Sequence, residues 1–222
     1  MDGFEELYKI YYKVVREVTI DKSRIAAGTS SFYDSKACSK CEEQKRRACE
    51  AKEVLKINHN RQIFKVELEK FFNQFDGLTL SSLKDKCDLM LYDQDNEHLV
   101  FCELTCTQSK YIEPYDNTKG HHEGKRAKAY KQLKSSIGKL AAVPKIAARM
   151  NEYNHRSALF AVRQKEDTEQ EDSLELTNIR RFSALTDSIQ QEAKSDIGNG
   201  FTFEIVKYPN IYHWDIKVKG NL

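Results

Sequence analysis

Two acidic residues, Asp88 and Glu103, have the types and the spacing that metal chemistry requires. They lie within residues 86–110, where alternating apolar and polar positions predict two short strands. If Asp95-Asn96 forms the turn between them, residues whose numbers sum to 191 (95 + 96) face each other, and Asp88 lies opposite Glu103. Like charges placed opposite each other destabilise a hairpin, so the pair either holds a cation or lies solvated on an edge strand. Both interpretations remain open at this point.

Composition limits the classes of protein that the chain can belong to. Its 222 residues are 40% hydrophobic and 32% charged with a net charge of +2, which indicates one sizeable globular core. A surface for nucleic acid must therefore come from local clustering of charge. No apolar run reaches membrane length and the first residues lack a signal-peptide pattern, so we expect a cytoplasmic protein without a membrane partner. The six cysteines are then expected to be reduced thiols or metal ligands.

The N-terminal part of the chain predicts helices over residues 4–18 and 36–57. The second predicted helix contains three cysteines, namely Cys38, Cys41 and Cys49. Their Cys-x2-Cys spacing, with His59 as a fourth ligand, permits a structural Zn²⁺ site. The same offsets place all three on one helix face, where cysteine packs as a small apolar residue. Because no second closely spaced cysteine pair exists, packing is favoured over zinc.

Residues 61–75 predict a further helix that precedes the hairpin. Its apolar positions fall at helical spacing, namely Phe64, Leu68, Phe71, Phe72 and Phe75. Glu67 borders this stripe, where a carboxylate needs a partner or must extend to solvent. Glu67 is therefore either a candidate metal ligand or a residue of the rim that pairs with Lys70.

A basic helix over residues 124–142 is predicted after the hairpin and a polar loop. Lysines and arginines recur through residues 119–149 with few acids among them. Such runs are usually solvated helix faces, but this imbalance next to two carboxylates favours a surface that faces phosphates. The candidate nucleic-acid contacts are Lys125, Arg126, Lys128, Lys131 and Lys134. A buried strand over 157–163, a helix over 173–194 and two terminal strands over 201–208 and 211–218 complete the prediction.

The order of these elements over roughly residues 60–165 resembles the PD-(D/E)xK nuclease superfamily, whose core is a helix, an antiparallel hairpin, a crossover helix and another strand. In this resemblance Asp88 matches the first acid of the motif, Glu103 the second and Glu67 an acid from the first helix. Gln132 resembles a glutamine that some branches carry on the crossover helix. The resemblance implies an α/β restriction-endonuclease-like fold, a central mixed sheet flanked by helices, over residues 59–222. Residues 1–58 would form an N-terminal helical extension.

The chain departs from the family at Thr105, where the motif has a lysine that activates the attacking water. A lysine from elsewhere can replace it, and the candidates are Lys110, Lys131 and Lys134. An active site would imply DNA hydrolysis with Mg²⁺ or Mn²⁺ bound by Glu67, Asp88 and Glu103, as in restriction or mobile-element defence. The alternative is an inactive nuclease fold that binds nucleic acid or serves as a subunit of a larger assembly. Protein partners, a homodimer and a pure protein-interaction module also remain open.

Overall fold

A seven-stranded mixed sheet forms the centre of the protein. The computed structural model describes Phe4 and residues 20–34, 53–75, 83–164 and 195–214. The strands of this sheet are β1 (Lys22–Ile25), β4 (Ile63–Glu67), β5 (Leu89–Asp93), β6 (His98–Thr107), β9 (His155–Gln164), β10 (Ser195–Gly198) and β11 (Phe201–Lys207). Their order across the sheet is β1-β4-β5-β6-β9-β11-β10. The β6–β9 and β9–β11 pairs are parallel and the other neighbours are antiparallel.

A second, three-stranded sheet covers one face of the main sheet. It consists of β2 (Gly28–Tyr33), β3 (Glu53–His59) and β12 (Ile211–Trp214), in the order β12-β3-β2. Between the two sheets lies an apolar cluster that includes Ile57, Leu91 and the fully buried Trp214. We call this side of the main sheet the sheet face.

Helices cover the opposite face, which we call the helix face. They are α1 (Leu68–Asn73), α2 (Gly124–Ala141) and α3 (Pro144–Asn151). Leu133 and Ile137 of α2 pack there against Phe101 and Phe160 of the sheet. A small separate hairpin, β7 (Tyr115–Asn117) and β8 (Gly120–His122), lies between β6 and α2. The protein is therefore an α/β structure with a large mixed sheet and few helices.

The register predicted for the central hairpin is confirmed. Leu89 pairs with Cys102 and Tyr92 with Leu99, so the paired residue numbers sum to 191 in both cases (89 + 102 and 92 + 99). The connecting loop spans residues 94–97 rather than two residues, but it is centred on the same Asp95-Asn96 pair. The register survives the longer loop because both strands shorten symmetrically.

The helix predicted over residues 61–75 is wrong in its first half. Residues 63–67 form β4, which pairs with β5 and β1, and only Leu68–Asn73 is helical. Phe64 and Val66 alternate with Lys65 and therefore satisfy a period of two. Glu67 is thus the last residue of a strand instead of a residue on the apolar side of a helix.

The N-terminal helical extension over residues 1–58 is also corrected. This range contributes β1 to the main sheet and β2 and β3 to the second sheet, so residues 53–57 are extended where a helix was predicted. Cys38, Cys41 and Cys49 lie outside the described residues, as do residues 5–18 and 36–52 of the two predicted N-terminal helices and the helix predicted over 173–194. The predicted α2 and the strands β9, β11 and β12 are confirmed within the described range.

Candidate functional site

Asp88 sits where β5 begins, and its carboxylate continues the hydrogen-bonding ladder in place of a strand residue. The backbone N–H of Leu104 donates to Asp88 Oδ2 at 2.7 Å. β6 extends beyond the start of β5, so this N–H faces a position where the neighbouring strand is no longer paired. The backbone carbonyl of Asp88 also accepts from the N–H groups of Leu68 and Glu69 at 2.9 and 3.3 Å. Asp88 is thereby fixed at the junction of β5, β6 and α1.

Glu103 lies on the helix face of β6 and is only 8% exposed. Leu99 and Phe101 belong to the helix-face cluster, whereas Cys102 and Leu104 belong to the cluster between the sheets. Alternation along the strand therefore places Glu103 and Thr105 beneath the helices.

The charges of Asp88 and Glu103 act on the same two thiols. Burial raises the pKa of the Cys87 thiol well above its usual value, and the two carboxylates raise it further. Burial also raises the pKa of Cys102, again with contributions from Asp88 and Glu103. The two carboxylates are therefore neighbours at one end of the hairpin, and both cysteines are protonated packing residues.

Glu67 lies on the opposite face of the main sheet from Glu103. Ile63 packs between the two sheets, so alternation along β4 places Lys65 and Glu67 on the sheet face. There Lys65 Nζ lies 2.6 Å from Glu67 Oε1. Both residues line a cleft of about 310 Å³ that Asp88 also borders. Across the described ranges, no three His, Cys, Asp or Glu side chains lie close enough together to hold one metal ion.

Helix α2 holds the segment that leads into Asp88. Gln132 Nε2 donates to the Lys86 carbonyl at 2.8 Å, and the Cys87 N–H donates to Ser136 Oγ at 2.9 Å. Gln132 and Ser136 are four residues apart and therefore share one side of the helix. Gln132 is thus a positioning residue, and Ser136 is a second one that the sequence argument missed. Its signal was a polar residue at the i+4 position from Gln132 within an apolar stripe.

Two of the candidate replacement lysines are engaged elsewhere. The Nζ of Lys131 pairs with Glu123 near the start of α2. The Nζ of Lys134 lies 5.8 Å from the ring centroid of Tyr130. Neither contact is with Asp88 or Glu103.

The third candidate, Lys110, stacks over the ring of Tyr111 at 5.4 Å. The lysines that border the cleft with Asp88 are instead Lys65 and Lys70. A hydrogen bond to Asp21 at 3.0 Å raises the pKa of Lys70. The sequence pattern indicated Lys70 only as a partner for Glu67. It did not indicate Lys65, because this segment was assigned to a helix and the contact between Lys65 and Glu67 requires a strand.

The basic residues of α2 fall into paired and unpaired groups. Arg126 Nη1 lies 3.3 Å from Glu113 Oε1, and Lys131 is paired as described above. Lys125 and Lys128 are exposed and have no ion pair among the described residues. Lys134 is also exposed and has no ion pair among the described residues, so the predicted basic surface retains its charge mainly at these three positions.

No protein-family model, curated protein or solved structure matches the chain. In the part of the chain that the structure describes, no helix is long and apolar enough to cross a membrane.

Proposed function

We propose that the protein is a Mg²⁺-dependent nuclease that hydrolyses phosphodiester bonds in DNA. The observation that carries the proposal is the hairpin register, because it brings Asp88 and Glu103 to the same end of two adjacent strands. The surrounding order of elements supports it. A crossover through α2 leads from β6 to the parallel strand β9, as the resemblance to the PD-(D/E)xK superfamily implies.

Asp88 and Glu103 suit Mg²⁺ or Mn²⁺ as oxygen ligands. Mg²⁺ in phosphoryl-transfer sites is commonly bound by one or two carboxylates together with waters and substrate phosphates, so a set of two is sufficient. When bound, the ion would lower the pKa of a water ligand and offset negative charge on the phosphate. Glu67 is not required for this set, because it lies on the other face of the sheet.

The remaining steps fall to side chains of this chain. Thr105, two residues after Glu103 and half-buried on the helix face, can hydrogen-bond water but supplies no positive charge. Gln132 and Ser136 keep the backbone before Asp88 in place. Lys125 and Lys128 supply contacts to backbone phosphates, which give salt-dependent binding with little sequence information.

A second candidate function is DNA binding without cleavage on the same fold. The favouring observation is that Lys131 and Lys65 both carry an acidic partner, Glu123 and Glu67 respectively. Neither Lys131 nor Lys65 is then available to replace the motif lysine beside Glu103. A catalytically inactive subunit of a larger assembly would have this arrangement.

The test compares the wild type with Asp88→Asn and Glu103→Gln on linear and circular DNA in Mg²⁺, Mn²⁺ and EDTA. We expect metal-dependent cutting by the wild type that falls at least about 100-fold in both variants. Asp95→Asn is the matched control, since this carboxylate is 69% exposed at the opposite end of the same hairpin. Cutting that persists in both variants would refute the site.

A second readout does not depend on activity. Mg²⁺ should raise the unfolding midpoint of the wild type and of Asp95→Asn, but not that of Glu103→Gln, because a ligand stabilises only the state that binds it. DNA binding by the wild type without cutting under any metal condition would favour the second candidate function.

A further inference from the structure

The hairpin β7–β8 is a separate two-stranded element between β6 and α2. Tyr115 pairs with His122, Asp116 with His121 and Asn117 with Gly120, which leaves residues 118 and 119 at its tip. A 3-10 turn, Ser109–Tyr111, connects it to β6, whose second half carries Glu103. Among the strands that the structure describes, it pairs with none of either larger sheet.

The base of this hairpin is clamped to the start of α2. Arg126 N–H donates to the Ile112 carbonyl at 3.0 Å, and Ile112 packs against the helix-face core. Gly124 has φ +79°, and a Cβ there would lie 2.4 Å from the carbonyl carbon of Glu113. Only glycine permits this close approach. The position of the hairpin relative to the start of α2 is therefore set by packed backbone.

The aromatic rings of the hairpin pack against one another. The rings of Tyr115 and His122 stack with centroids 4.8 Å apart at an interplanar angle of 10°. Tyr111 lies 4.8 Å from Tyr115 on the preceding segment. A platform for single-stranded nucleic acid needs ring faces that bases can stack on. These rings instead stiffen the hairpin.

The acids around the hairpin are paired within the chain. His121 Nδ1 lies 2.9 Å from Asp116 Oδ1, and Glu113 and Glu123 pair with Arg126 and Lys131 as given above. The Arg126 and Lys131 cations offset the negative charges of Glu113 and Glu123 and so reduce the negative field of this surface.

Three lysines of the hairpin and of the first turns of the adjoining helix have no ion pair among the described residues. They are Lys119 at the tip of the hairpin and Lys125 and Lys128 on α2, and all three are exposed. The surface is therefore positive at the tip and along the adjoining first turns of the helix.

From these observations we infer that the β7–β8 hairpin enters the major groove of double-stranded DNA, while Lys125 and Lys128 contact the flanking phosphates. The inference rests on the proposed function. A two-stranded ribbon fits the major groove of B-form DNA, about 12 Å wide, whereas the deep, narrow major groove of A-form RNA does not admit side chains.

The test measures binding to a duplex and to a single strand of the same sequence by fluorescence anisotropy in EDTA over a range of salt. Each lysine that contacts a phosphate contributes about 0.9 to the slope of log K against log salt, or roughly eightfold in affinity near 0.1 M salt. The Lys125→Ala, Lys128→Ala double variant should therefore lose about two slope units on the duplex, whereas Lys119→Ala should keep the wild-type slope. Lys145→Ala is the control, because this exposed lysine lies on α3, beyond the far end of α2.

Protection of guanine N7 from methylation locates the hairpin, since N7 lies in the major groove. We expect N7 protection by the wild type that weakens in Lys119→Ala. A double variant that binds like the wild type, or binding without N7 protection, would overturn the inference and leave the proposed nuclease intact. Absence of duplex binding by the wild type at low salt would instead overturn both.

Discussion

Ser136→Ala tests whether α2 fixes the segment that carries Asp88. Ser136 is fully buried, and its Oγ accepts the Cys87 N–H at 2.9 Å. Its removal leaves a buried N–H without this acceptor, which costs about 1–3 kcal/mol. The higher helix propensity of alanine offsets roughly 0.5 kcal/mol of that loss. We expect a net decrease of about 0.5–2.5 kcal/mol in the free energy of unfolding.

The matched control is Ser135→Ala, which changes the neighbouring, half-buried serine of the same helix. Because this change gains helix propensity without removing the bond to Cys87, its stability should equal or exceed that of the wild type. Denaturant unfolding with a common slope measures both free energies. If Ser136→Ala and Ser135→Ala agree within about 0.5 kcal/mol, the hydrogen bond to Cys87 is not a significant constraint.

The same variant separates positioning from stability. If the bond to Cys87 holds Asp88 for catalysis, Ser136→Ala should cut DNA more slowly at a temperature where it is fully folded, with unchanged affinity for the duplex. A destabilised variant that cuts at the wild-type rate would show that Ser136 supports the fold alone.

Two further predictions concern buried groups away from the carboxylates. Burial, together with His155, lowers the pKa of His98 to about 4, so the unfolded state binds a proton between pH 6.5 and 4 that the folded state does not. The free energy of unfolding should therefore fall by up to about 3 kcal/mol as the pH drops through this window. Urea titrations at several pH values should show that His98→Gln loses this pH dependence. A pH dependence equal to that of the wild type would show that His98 is not its source. Gly124→Ala should destabilise by more than about 1 kcal/mol, because its φ is positive and its Cβ would meet Glu113. Gly138→Ala, in open space within α2, should stabilise by roughly 0.5–1 kcal/mol, and equal unfolding midpoints for these two variants would refute the clamp at the hairpin base.

The central hairpin could be predicted from the sequence because two independent signals agree there. Alternation fixes which residues of β5 and β6 share a face, and a turn centred on Asp95-Asn96 fixes the pairing. A loop that grows by one residue on each side keeps the same sum of residue numbers. For that reason the placement of Asp88 relative to Glu103 did not depend on the loop length.

The prediction of one helix over residues 61–75 was wrong because a strand and a helix both contribute to one apolar surface. Phe64 on β4 and Phe71 and Phe72 on α1 all pack in the helix-face cluster. Their spacing matches a single helix although the chain changes conformation between them. On a helix Glu67 would border that cluster. On a strand it points to the opposite face, so Glu67 and Glu103 lie on different faces of the main sheet.

The replacement lysine could not be ranked from the sequence because its availability depends on tertiary ion pairs. Lys131 meets Glu123 eight residues earlier, and Lys65 meets Glu67 only because both lie on one side of a strand. The spacing of residues along the chain does not show which lysine side chains are left without an ion pair and can contact a phosphate. The same holds for Lys119, whose exposure follows from a hairpin that the polar loop did not reveal.

Asp88 has a structural role and a proposed chemical role, and the choice of substitution decides whether they can be separated. Its carboxylate accepts the Leu104 N–H at the end of the β5–β6 ladder. Alanine would remove both this acceptor and the charge, so loss of cutting by Asp88→Ala would have two explanations. Asparagine keeps a side-chain oxygen that can accept the N–H and removes only the charge. Loss of cutting by Asp88→Asn at wild-type stability therefore argues for metal binding, whereas full activity would make Asp88 a cap of the ladder and place the reacting groups elsewhere.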